Sequence, residues 1–543
     1  MSYKSRYSDI HYGLTSSTEV LLTCEAGDKI ASKDNVVFES GVAQGCVIHV
    51  QPDATKQTLL GIGTSFTQSS AFVLAHLERD ARDEVMNQIY GEQGANFSFA
   101  RTHIGACDFS VEGKYSYAHK EGDTSLEHFS IAVDNDGFSN KNYPGIKDET
   151  FDLLPMIQQA QQIKKAQQDD SFNILASAWT APPWMKDIQD WYSPGSPAND
   201  YAGTGGQLKS EYVGTYAQYL VKYLDAYRQE GIDIWGLTPV NEPSGNNGQW
   251  ESMHFSPESQ NDFVKNHLGP ALQSSGNEDV KLLVFDHNRD HLEQWADVLF
   301  ADPETASYVH GAAVHWYESS FKVSEDTLER VHEKYPGFSI LHTEGCIDDL
   351  GKDAPQGVLD PARFKESNWF NNDAFWWNEN ATDWAYTATW PGVVVEDHPI
   401  YTPVHRYARN IIESFNHWVT AWIDWNIVLD SQGGPNHVGN YCGAPIMIDT
   451  DSGVIHYTPI FYILAQLSRT IRPHDKAVQT DCYLQGLAED SIHASASISK
   501  NQLLSIQVLN TTKQVVNYQL QIGTQLAKVE IEANALQTIR VQL

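Results

Sequence analysis

Positive charge is scarce in this chain. Its 543 residues carry 36 Lys and Arg against 70 Asp and Glu, a formal charge of −34. That balance repels nucleic acids, other polyanions and anionic membrane surfaces, and it suits a neutral partner. Solubility, or life in salt, is the commoner cause of such a balance. Long apolar runs are also missing. None approaches the ~18 residues of a membrane span, so no stable insertion is expected. The first residues, MSYKSRYSDIHYGL, hold no apolar core of the signal-peptide kind. The expected location is the cytoplasm, or a secreted or periplasmic one if a leader has been removed. The six cysteines, Cys24, Cys46, Cys107, Cys346, Cys442 and Cys482, are scattered. They form no CxxC pair and no zinc-like spacing. Free buried thiols are expected, with a Cys24–Cys46 disulfide left open. No dinucleotide fingerprint or P-loop follows a strand-like run, and neither HExxH nor an EF-hand loop occurs. No cofactor and no metal are therefore expected.

What is present is enough apolar residue for a large core, 41 % of the chain, and 11 % aromatics. Eight apolar, β-rich runs alternate with helix-like segments: 58–66, 95–106, 172–180, 232–242, 280–288, 309–317, 338–345 and 418–426. Near-continuous apolar runs are the mark of parallel strands buried on both faces. Helical spacing covers 72–90, 212–231 and 256–276, the last two closing on glycine. Eight β-then-α units predict an α/β fold, a (β/α)8 TIM barrel, with a doubly wound open sheet as the alternative.

The two ends read differently. Short β-like pieces, EVLLTC and GCVIHV, lie in 14–50, and strict period-two alternation runs through 482–543. The N-terminal pieces are too few to stand alone. They are predicted to join the C-terminal strands in one antiparallel β-sandwich. The predicted division is 1–57 and 471–543 for the sandwich and 58–470 for the barrel.

In a barrel, reactive side chains gather at the C-terminal strand ends. TPVNEP (238–243) ends the fourth run on Glu242, and LHTEGC (341–346) ends the seventh on Glu344. Two carboxylates on separate strand ends are the minimum equipment for cutting a glycosidic bond. Alone, a glutamate at a strand end is more often a surface or capping residue.

Longer motifs add to this pair: GIGTSFTQSSA (61–71), ACDFS (106–110), ASAWTAPPWMK (176–186), TPVNEPS (238–244), FSPESQNDFVKNHLGP (255–270), YVHGAAVHWY (308–317), HTEGC (342–346), WIDWN (422–426) and GGPNHVGNYCGAPI (433–446). Through them, from about 58 to 475, the chain resembles the glucosylceramidase-type glycoside hydrolases of family 30. The resemblance implies a retaining mechanism, with Glu344 as nucleophile and Glu242 as acid/base. It implies that Asn241 holds the sugar 2-hydroxyl, that Asp108 grips outer hydroxyls, and that Trp179 and Trp425 line and stack. Asn440 matches a sugar-contacting position. Tyr317 is well placed to donate to Glu344, and Arg101 to support it electrostatically or to order the barrel. His315 either bonds beside a catalytic carboxylate or fills the barrel mouth. The substrate implied is a β-glucoside or related neutral glycoside. Endo-β-1,6-glucanase and β-xylosidase remain as alternatives. A non-catalytic carbohydrate-binding protein is disfavoured, since a binder needs neither glutamate.

Two stretches depart from the family's animal members. NHVGNYCG carries His437, Gly439 and Gly443 where those have bulkier or charged residues, so a soluble glucoside or oligosaccharide fits as well as a ceramide glycoside. The Trp-rich segment 369–391, with Trp369, Trp376, Trp377, Trp384 and Trp390, is expected either to rim the pocket or to pack as an inserted helix.

Overall fold

The computed structural model describes residues 10–15, 17–194, 204–246, 248–347, 376–377 and 404–543. The eight expected runs all form strands: Gly61–Phe66, Phe99–Ile104, Asn173–Ala178, Gly236–Thr238, Lys281–Asn288, Val309–His315, Ser339–Glu344 and Val419–Asn426. They pair in parallel and in chain order, and the eighth closes on the first. The open-sheet alternative is thereby excluded. Phe99, Leu175, Leu283, Ala313, Leu341, Ala421 and Ile423 form a separate apolar cluster, one residue or more from each of six strands. This is the inner layer of the barrel, and the helices pack on the outer faces of the same strands.

The outer unit is a ten-stranded sheet built from both chain ends. Its order is Ala31–Lys33, Thr18–Cys24, Ala535–Gln542, Leu503–Asn510, Ile492–Ile498, Lys476–Leu484, Cys46–Thr58, Val516–Ile522, Gln525–Ile531 and Glu39–Ser40. Every pairing is antiparallel except that of Cys46–Thr58 with Val516–Ile522. Val20, Ile48, Ile506, Leu520 and Ile531, from strands across the whole order, share one core. Only Leu59 and Leu60 separate this sheet from the first barrel strand. Helix Pro459–Thr470 ties the two units together. Its buried Gln466 donates to Leu536 O at 3.1 Å and accepts from Thr23 Oγ1 at 2.7 Å.

Two helix expectations need correction. The periodic stretch 72–90 is two helices, Gln68–Ala75 and Arg79–Tyr90. The first begins early because Thr67 accepts from Ser70 N, an N-cap directly after the first barrel strand. The stretch 256–276 starts as expected with a capping box at Ser256. It then passes through a π-helical turn, Val264–Leu268, before Gly269–Ser274. All six cysteines are free, so the Cys24–Cys46 disulfide is not formed. Within the Trp-rich segment, Trp376 and Trp377 are helical and buried; Trp369, Trp384 and Trp390 lie outside the described residues. Among the described residues no helix is long and apolar enough to cross a membrane.

Candidate active site

Period-two alternation carries each inner strand from an apolar layer to a polar one. Two residues beyond Phe99 comes Arg101, beyond Leu175 comes Ser177, beyond Ala313 comes His315, and beyond Leu341 comes Thr343. The fifth strand breaks the count. Phe285 and Asp286 adopt φ of 74° and 64°, and the pairing with the sixth strand slips between them and His287. This bulge turns Phe285 outward onto Trp295, at a ring distance of 5.1 Å, and brings Asp286 inside.

Asp286 is fully buried and collects four donors. Arg101 Nη2 donates at 3.0 Å, Thr238 Oγ1 at 2.7 Å, Thr343 Oγ1 at 2.8 Å, and His315 Nε2 lies at 2.9 Å. Arg101 also donates to Asn241 Oδ1 at 2.7 Å, to Ser177 Oγ at 3.1 Å, and to Glu344 Oε2. Tyr317 donates its hydroxyl to the other oxygen, Glu344 Oε1, at 2.9 Å. His315 Nδ1 stands 3.3 Å from Glu242 Oε1. Glu242 itself holds a left-handed φ of 49°, pinned by its N–H donating to Asp286 O at 2.9 Å. Strain of this kind, at a non-glycine residue, persists only where the surroundings enforce it.

The charges are interlocked. Burial works against ionised Asp286, but Arg101 and His315 outweigh it and hold the carboxyl far below its usual range. Burial also opposes a charged His315. The Glu344 and Asp286 carboxylates, with hydrogen bonds to Asp286 and Glu242, push it up to about 9. Burial raises Glu344, while His315, Arg101 and the Tyr317 hydroxyl pull it back. The balance leaves Glu344 basic, with its carboxylate form hydrogen-bonded on both oxygens. Glu242, His315 and Glu344 converge so that one ligand-type atom of each lies within 4.8 Å of the others. A cation there would have to displace the guanidinium already on Glu344 and the proton held by His315. The donor set fits proton transfer better than metal binding.

The rim holds the remaining expected residues. Asp108 accepts from Asn436 Nδ2 at 3.0 Å and Asn440 Nδ2 at 3.3 Å, and burial pushes it up to about 7. Trp179 and Trp425 stack on each other, with centroids 5.2 Å apart and planes at 23°, and the Arg101 guanidinium lies against both rings. All ten residues singled out in the sequence thus meet at the C-terminal mouth of one barrel. Asp286, Thr238, Thr343 and Ser177, which hold them in place, were not singled out.

The sequence pattern of the glycosyl hydrolase family 30 TIM-barrel domain matches residues 59–389 and 395–471. The chain belongs to glycosyl hydrolase family 30. This family 30 protein is 28 % identical to the lysosomal acid glucosylceramidase of Mus musculus over 434 residues, 79 % of this chain and 70 % of that one. It is 27 % identical to an endo-1,6-β-D-glucanase of Neurospora crassa over 428 residues, 78 % of this chain and 72 % of that one. In fold it matches the crystal structure of SrfJ from Salmonella typhimurium, with a TM-score of 0.77 at 22 % identity, covering 97 % of this chain and 100 % of the other. The family 30 protein is therefore a glycoside hydrolase, built as a TIM barrel with an outer sheet.

Proposed function

We propose that the enzyme is a retaining β-glycosidase that removes terminal β-glucosyl units by double displacement. The observation that carries this reading is the gap between the two glutamates. One carboxylate oxygen of Glu242 lies within 4.8 Å of one of Glu344; this close approach favours the ~5–5.5 Å carboxyl separation of retaining enzymes over the ~6.5–9.5 Å of inverting ones. No water fits between the sugar and Glu344 at the shorter spacing, so Glu344 itself attacks the anomeric carbon. Glu242 protonates the departing oxygen, then takes a proton from the water that releases the sugar. Arg101 and Tyr317 orient Glu344 for attack. Asn241, held by Arg101, meets the 2-hydroxyl, where a hydrogen bond strengthens at the transition state. Asp108 and Asn440 grip outer hydroxyls, Trp179 and Trp425 wall the sugar, and His315 steers Glu242.

The test is Glu344→Gly on an activated aryl β-glucoside. Turnover should vanish and return with azide as the α-linked glucosyl azide, formed by azide entering from the face opposite the leaving group; a β-linked azide would contradict the assignment. Activity that survives the substitution rejects it. A second reading, an endo-β-1,6-glucanase, is supported by the Neurospora relative, whose identity to this chain is nearly that of the glucosylceramidase. Product sizes from a β-1,6-glucan separate the two: free glucose from the start supports the terminal-acting enzyme, and a ladder of oligosaccharides supports the other.

A further inference from the structure

Behind Asp108, loops from the second, fourth and eighth barrel strands meet on two ionisable groups given no role so far. Glu251, in the loop after the fourth strand, has a fully buried side chain. His437, in the loop after the eighth, reaches it: Nε2 lies 3.0 Å from Glu251 Oε1. The imidazole's other nitrogen, Nδ1, stands 3.1 Å from Ser110 O. A carbonyl oxygen can only accept, so Nδ1 carries hydrogen, and Nε2 faces a carboxylate. Nδ1 thus bonds to a carbonyl, while Nε2 lies against the Glu251 carboxylate at ion-pair distance.

This pair is built into the Asp108 segment. His437 N donates to Asp108 O at 3.1 Å, and the neighbouring Asn436 and Asn440 donate to the Asp108 carboxylate. Asn436 Oδ1 accepts from Val438 N and Asn440 N, each at 3.0 Å, which folds the loop around His437. On the other side, buried Lys186 donates to Trp191 O, Gly205 O and Ser252 O, and so anchors the residue after Glu251. Among the described residues neither Glu251 oxygen nor His437 Nε2 makes a hydrogen bond, so proximity of charge alone joins the pair. A buried ion pair without supporting hydrogen bonds contributes little to stability compared with apolar packing. Its effect is on geometry.

We propose that Glu251 and His437 are positioning residues for the sugar. Their ion pair locks the strand-eight loop onto the Asp108 segment and thereby fixes the Asp108 carboxylate and the Asn440 amide that grip the sugar's outer hydroxyls. The inference rests on the sugar-binding role of Asp108 under the proposed function.

The test uses the full chain and the aryl β-glycoside that the wild type hydrolyses, with the free sugar as competitive inhibitor. Glu251→Gln keeps the shape and removes the charge; His437→Gln removes the other partner. Each should raise KM and the sugar's inhibition constant ~10-fold, as loss of an interaction with a charged group does, with kcat falling less than KM rises. Glu251→Gln added to Asp108→Asn should cost no more than Asp108→Asn alone, because both act through one contact. Unchanged KM in both single variants overturns the proposal, as do losses that multiply with Asp108→Asn. A lowered melting temperature at constant KM also overturns it, by making the pair structural. Asp108→Asn without effect on KM rejects the role of Asp108 itself; a weakened Asp108→Asn beside an unaffected Glu251→Gln rejects the positioning pair alone.

Discussion

His315→Gln should erase a pH-dependent share of the enzyme's stability. The imidazole is fully buried between Glu242 and Asp286 and is pushed up to about 9 from an ordinary 6.5. Its folded value is raised, so the stability it contributes is fully present below the unfolded value and is lost as pH climbs through the folded one. At 1.36 kcal/mol per unit, that share is about 3 kcal/mol. Other groups titrate in the same window. Lys186, held down to about 7 by burial, changes in the opposite sense because its unfolded form keeps its proton longer. The difference between wild type and variant removes that contribution. Urea titrations from pH 6 to 10 should show the wild type ahead by a margin that shrinks by about 3 kcal/mol across the range. A margin that stays flat refutes the reasoning, since it would mean His315 carries no proton in the folded enzyme near neutrality.

Three further outcomes follow from the same network. Tyr317→Phe removes the hydroxyl that donates to Glu344 at 2.9 Å; the acidic limb of the kcat/KM–pH profile should move upward and kcat/KM should fall ~10-fold, the worth of a hydrogen bond to a charged group. Arg101→Lys keeps the charge but cannot serve Ser177, Asn241, Asp286 and Glu344 together, so kcat should fall ~100-fold or more while near-neutral circular dichroism stays native. Gly63→Ala would set a Cβ 1.6 Å from Phe99 O in the adjoining barrel strand; the melting temperature should drop by an amount matching ~3 kcal/mol or more.

The barrel was legible because parallel strands buried on both faces leave continuous apolar runs, and all eight runs are strands. The glutamates were legible because each ends such a run. Asp286 was not. Counting by two from Leu283 puts Phe285 inside and Asp286 outside, and only the bulge reverses them. Its partners come from the second, fourth, sixth and seventh strands, which are brought together by closure rather than by any local pattern. The helix break at His76–Glu78 was hidden for a related reason. Arg79–Tyr90 continues the apolar spacing of the preceding helix closely enough to read as one element. The small edge strands Ala31–Lys33 and Glu39–Ser40 gave no signal, being two or three residues of polar sequence paired to longer neighbours.

The central claim is that Glu344 becomes covalently bonded to the sugar. A 2-fluoro β-glucoside with a good leaving group slows the second displacement and traps that species. Peptide mass spectrometry should find the 2-fluoroglucosyl group on Glu344 in the segment SILHTEG, with activity lost in proportion to labelling. A label on Glu242 or on any other residue, or inactivation without a covalent adduct, would contradict the account.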